Sequence, residues 1–146
     1  MIGLLLLLLA CTTEPGGVVA DRTPVAPSTA TDTGPQDAGT PLSYAADIAP
    51  LWQGGCTDGC HPGSDSMADL RPGYGYADLV DIPSVELPTM DRVQAGDPGR
   101  SYLLLKLEGT HIAEGGMGPP MPPSGALIPE ADRDLVRRWI LQGAPP

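Results

Sequence analysis

The chain has 146 residues, no phenylalanine, 4% aromatic residues, and 19 glycines with 18 prolines. That composition excludes a large hydrophobic core and points to a small, loop-rich domain that needs a staple such as a disulfide, a metal or a bound cofactor. The formal net charge of −10 argues against nucleic acid as a partner, which requires a basic footprint, and fits a partner with a basic docking surface.

The first segment, "MIGLLLLLLAC", is an apolar run through Ala10, broken by Gly3. It is too short to cross a bilayer as a helix, which takes about twenty residues, and suits the hydrophobic part of an export signal. Leu8-Leu9-Ala10-Cys11 resembles a bacterial lipobox, in which the chain is cut before the cysteine and its thiol is lipidated. The expected division is a signal peptide at 1–10, then a lipidated Cys11. The protein is therefore expected to be exported and anchored to a membrane, facing the periplasm or cell surface. An incidental cysteine in a plain secretory signal is the other reading.

Residues 11–43 carry Thr, Pro, Ala, Gly and Asp, with no aromatic residue and no apolar periodicity. Such a stretch cannot bury enough surface to offset the entropy of ordering, and it reads as a disordered tether. The domain then spans 44–146. It carries seven basic and fourteen acidic residues, a net charge of −7.

Three helices are expected there, giving a small, mostly α domain with long Gly/Pro-rich loops. Ser43 is a candidate N-cap for "SYAADIAPLW", whose apolar face is Ala46, Ile48, Ala49, Leu51 and Trp52. Pro50 shortens or kinks that helix. A middle helix runs from about Ser101 to Glu108 and stops at Gly109. The last begins at Pro129, stripes Leu135, Val136, Trp139 and Ile140 along one side, and ends at Gly143. Its Arg133, Arg137 and Arg138 read as a solvated face. No strand pattern is evident in the remainder.

Between the first two helices lies "GGCTDGCHPG", with Cys56, Cys60 and His61. A disulfide between the two cysteines would close a very small loop, remove little chain entropy, and give His61 no role. A structural zinc needs four ligands, and the only other histidine is His111. Covalent haem accounts for all three residues: two thiols add across the haem vinyl groups and the following imidazole takes the iron. The usual spacing is C-x-x-C-H, whereas this chain has C-x-x-x-C-H. On a helix, three residues turn about 300° and four about 400°, so both spacings leave the sulfurs near one face. Gly59 can absorb the extra residue.

The domain resembles the small c-type cytochrome domains of exported proteins and lipoproteins from myxobacteria, planctomycetes and related bacteria. The landmarks are "YAADIAPLWQGGCTDGCH", "YADLVDIPS", "RVQAGDPGRSYLLLKLEG" and "MPPSGALIPEADRDLVRRWILQGA", in that order, covering nearly all of 44–144. The resemblance implies one covalent haem c on Cys56 and Cys60, with His61 as one axial ligand. It implies the methionine of the "MPP" motif, Met121, as the other. Prolines beside Met121 stiffen its loop, and a thioether suits haem iron. Met117 and His111 are the alternatives, the latter expected in an exposed loop, whereas Met67 and Met90 read as gap-filling core residues. Arg71 or Arg100 is the candidate partner for a haem propionate.

The leading functional expectation is an electron carrier that is not an enzyme, because two axial ligands leave no iron position for substrate. The alternative is a surface interaction or structural module in which haem, or a zinc at the Cys/His cluster, only stabilises a small core. An electron-entry domain serving a larger dehydrogenase or oxidase is a further variant, with that enzyme as partner.

Overall fold

The computed structural model describes residues 39–53, 55–64 and 67–146. The apolar leader, Cys11 and the tether through residue 38 lie outside the described residues.

Ser43 starts the first turn as its residue type predicts. Its hydroxyl accepts from the Ala46 N–H at 3.2 Å, and its own N–H donates to Asp47 at 2.8 Å, so each end of the turn caps the other. Pro50 then reshapes the helix. It has no N–H to give the Ala46 carbonyl, and its ring would crowd that carbonyl. The chain accordingly widens into a π-helical turn over Tyr44–Ile48, with the Ala49 N–H reaching back to the Tyr44 carbonyl. It resumes as the short helix α1, Ala49–Trp52, where proline sits harmlessly in the first turn. Packing reaches back beyond Tyr44: Leu42 is buried, and its N–H donates to Gln142 at 2.8 Å.

After the cysteine segment come two strands that no sequence pattern predicts. β1, Pro62–Ser64, pairs antiparallel with β2, Met67–Asp69. Three residues each give no measurable alternation, so the pattern could not announce them. Helix α2, Gly75–Leu79, is likewise a single turn, with Leu79 buried. Residues 80–100 form a loop pinned by isolated bridges Val80–Val93 and Pro83–Asp91. Asp97 caps a 3₁₀ turn at Pro98–Arg100.

The last two helices match the sequence closely. α3 runs Tyr102–Glu108 and stops at Gly109. α4 runs Glu130–Leu141, with Pro129 as its cap rather than its first residue. Val136, Trp139 and Ile140 of α4 are fully buried and join Ile48, Trp52, Leu79, Val93, Leu104 and Leu107 in one core. α4 packs on α3 and on the N-terminal turn. Arg137, expected in solvent, instead ties α4 to the end of α3 through Glu108 while also pairing with Asp134. The two ends of the described chain are clipped together. The Pro145 carbonyl accepts from the Tyr44 N–H at 2.9 Å and from the Trp139 indole at 2.8 Å.

Candidate functional site

The site begins where α1 ends. Trp52 closes α1, and its carbonyl accepts from the Cys56 and Thr57 N–H groups, turning the chain back. The segment Cys56–His61 is a wide turn rather than a helix. The His61 N–H closes it onto the Cys56 carbonyl at 2.9 Å. Gly59 takes φ +84°, a left-handed value costly for a residue with a Cβ, and that conformation accommodates the extra residue between the cysteines. Neither thiol is in a disulfide. Cys56 is half-buried and Cys60 exposed. Burial, then the neighbouring Cys60, pushes the Cys56 thiol above its usual pKa.

The hairpin fixes the histidine. His61 Nδ1 lies 3.1 Å from the Ala68 carbonyl of β2. A carbonyl can only accept, so Nδ1 carries a proton, and in the neutral ring the lone pair is then on Nε2, the form that binds a metal. The two unheralded strands are thus what orients the ring.

These residues face a cavity of about 550 Å³, within the range of about 300–1,000 Å³ typical of small-molecule sites. Cys56, Cys60, His61 and Met121 all line it. Most of the remaining wall is apolar, from α1, α2, α3 and the loop before α4. Met121 is half-buried against the core, and its N–H donates to the Lys106 carbonyl at 2.9 Å. Pro122 and Pro123 continue the same wall. Met117 is 60% exposed and lies outside it. His111, expected to be exposed, is 1% exposed and also outside the wall. Its Nε2 is committed to the Gly118 carbonyl at 2.9 Å. Met67, read as core filler, is 39% exposed on β2 and borders the cavity.

The cations of the site differ from those expected. Arg71 is held by Asp69 at 2.6 Å and lies over the Tyr74 ring; Arg100 binds Gln94 and the Thr89 carbonyl. Neither borders the cavity. Arg92 and Lys106 do. Arg92 uses Nη1 on the Asp78 carbonyl at 2.8 Å and on the Asp78 carboxylate at 3.3 Å, and among the described residues its other donors have no partner. Lys106 is already neutralised by Glu86 at 2.6 Å. Arg92 is therefore the wall cation best able to receive an anionic group. The Trp52 indole nitrogen is buried, with no hydrogen-bond partner among the described residues. It lies close enough to the Tyr44 hydroxyl to offset part of the rise that burial gives that phenol.

The residues fit a covalent haem on these observations. Two free thiols, a histidine held through Nδ1 by a carbonyl and a thioether border one apolar cavity, and so does a guanidinium. They fit zinc less well, because among the described residues no three Cys, His, Asp or Glu side chains gather around a common point. Sequence reasoning missed Arg92, Lys106, Glu86 and Tyr102. The one available signal was a lysine inside the apolar run "YLLLKLEG", four residues after a tyrosine.

Comparison of the chain with protein-family models, curated proteins and solved structures found no match.

Proposed function

We propose that this protein is an exported electron carrier with one covalent haem c, held by Cys56 and Cys60 and ligated by His61 and Met121. The observation that carries the reading is the convergence of those four side chains on one cavity, with His61 locked in its metal-binding tautomer by Ala68. When bound, haem supplies a one-electron ferrous/ferric couple, and methionine ligation raises its potential. The chain's own part is to hold the two thiols in one turn, aim His61, present an apolar wall, and place Arg92 for an anionic group. With His61 and Met121 both bound to it, the iron would keep no position for a substrate. The acidic domain favours a redox partner with a basic surface. The apolar leader and Cys11 support a lipid anchor that tethers the domain to a membrane.

The test is expression alongside the haem-attachment machinery, followed by denaturation and acid-acetone extraction. Haem should stay with the polypeptide. Haem passing into the organic phase, or a colourless protein, would refute the reading.

A second reading, in which haem is only a staple, has its own support. The apolar wall of the cavity lacks packing partners until something fills it, so an occupant would stabilise the domain under either reading. Reversible reduction with rapid electron exchange favours the carrier; a haem that cycles with no exported partner favours the staple.

A further inference from the structure

The loop that carries Met121 is anchored by a buried polar network. α3 places Tyr102 and Lys106 one turn apart on the same face. The Lys106 side chain is only 7% exposed, an expensive place for an ammonium unless it is paired. It donates to Glu86 at 2.6 Å and to the Met117 carbonyl at 3.0 Å. The Tyr102 hydroxyl donates to the same Glu86 oxygen at 2.8 Å and accepts from the Met117 N–H at 3.2 Å. His111 donates through Nε2 to the Gly118 carbonyl at 2.9 Å. The Lys106 carbonyl receives the Met121 N–H at 2.9 Å. A Cβ at Gly116 would fall 2.6 Å from the Tyr102 hydroxyl and 2.9 Å from the His111 carbonyl oxygen, so the loop lies directly on the network.

An apolar residue at 106 would pack against this core without the cost of burying a charge. What the lysine adds is a hold on the Met117 carbonyl, across Gly118, Pro119 and Pro120 from Met121, whereas the bond from the Met121 N–H goes to the backbone carbonyl of residue 106 and needs no lysine. We propose that Lys106, oriented by Glu86 and Tyr102, is a positioning residue for the sixth iron position, deciding whether Met121 stays on the iron. The inference rests on the haem reading above and adds to it a control on ligation at the same site. Lys106 acts on the ligand only through the loop backbone.

The experiment uses the full haem-loaded protein with three variants, Lys106→Met, Lys106→Arg and Tyr102→Phe. The readouts are the far-red sulfur-to-iron band of the oxidised form, carbon monoxide binding by the reduced form, and far-UV circular dichroism. Folded Lys106→Met should keep its covalent haem, lose the band and bind carbon monoxide, and Lys106→Arg should restore the band. A purely structural lysine would lower the melting temperature while the folded protein kept the band and excluded carbon monoxide, and that result overturns the inference. Should Lys106→Met fail to fold, Tyr102→Phe decides, because it removes one hydroxyl and keeps the ring. A weakened band with carbon monoxide binding supports the proposal, and wild-type behaviour overturns it. Wild-type protein without covalent haem overturns the haem reading itself. A wild type that shows the band, with variants that never lose it, overturns only this inference.

Discussion

Met121 and Met117 stand four residues apart in one Gly/Pro-rich loop, yet only the first faces the cavity. Met121→Ala should abolish the far-red band, open the sixth position to carbon monoxide or cyanide, and lower the reduction potential. Met117→Ala should leave all three unchanged, because its side chain is exposed and the network holds only its backbone. Loss of the band in Met117→Ala alone would reassign the ligand. The network also sets a pH window. Burial pushes the Glu86 carboxyl up, but hydrogen bonds from Lys106 and Tyr102, with the lysine charge, outweigh it and hold the group below its usual 4.5. A lowered folded pKa gives stability that is present above the ordinary carboxylate range and lost as pH falls through the folded value. Tyr102 runs the other way: burial and its bond to Glu86 push the phenol up to about 12 from 10.0. Its contribution is complete below pH 10.0 and lost as pH rises through about 12. Melting temperature should therefore hold between these limits and fall outside them. Glu86→Gln should flatten the acid limb and Tyr102→Phe the alkaline one. Unchanged limbs in both variants would show that the network does not govern them.

At the scale of elements, the short pieces carry the site, and they depend on close approaches. α2 starts at Gly75, where a Cβ would lie 2.0 Å from the Tyr44 hydroxyl. That hydroxyl cannot easily retreat, since the Tyr44 ring packs between Tyr76 and Trp139 and its N–H is bonded to Pro145. Gly75→Ala should cost about 1–3 kcal/mol by overpacking. Tyr44→Phe, which deletes a buried hydroxyl lacking a partner among the described residues, should relieve most of that cost. A urea-unfolding cycle of the two single variants and the double checks this, and additive effects would disprove the contact. The elements legible in the sequence were those with local signals: the Ser43 cap, the break at Pro50, α3 up to Gly109, and the apolar stripe of α4. The hairpin and α2 were not, because three to five residues hold too few positions to show a period. Yet the hairpin supplies the carbonyl that selects the His61 tautomer.

At the scale of the whole molecule, a lipid on Cys11, as proposed, would tie the domain to a membrane. Cys11→Ser should move the protein from the membrane fraction to the soluble exported fraction with its haem spectrum unaltered. Continued membrane association would remove the lipid-anchor reading. The sequence by itself determined the parts whose chemistry is local. Cys56, Cys60 and His61 are held together by a few peptide bonds, so their grouping can be read before any fold is known. Met121 was already the methionine expected from the sequence; among the described residues, only the tertiary structure shows which cation borders the cavity and why a lysine is buried. The choice of Arg92 over Arg71 and Arg100 depends on the bridged loop after α2. Lys106 is explained by Glu86, twenty residues away. Contacts between distant segments are fixed by how the core packs, and no spacing along the chain records them.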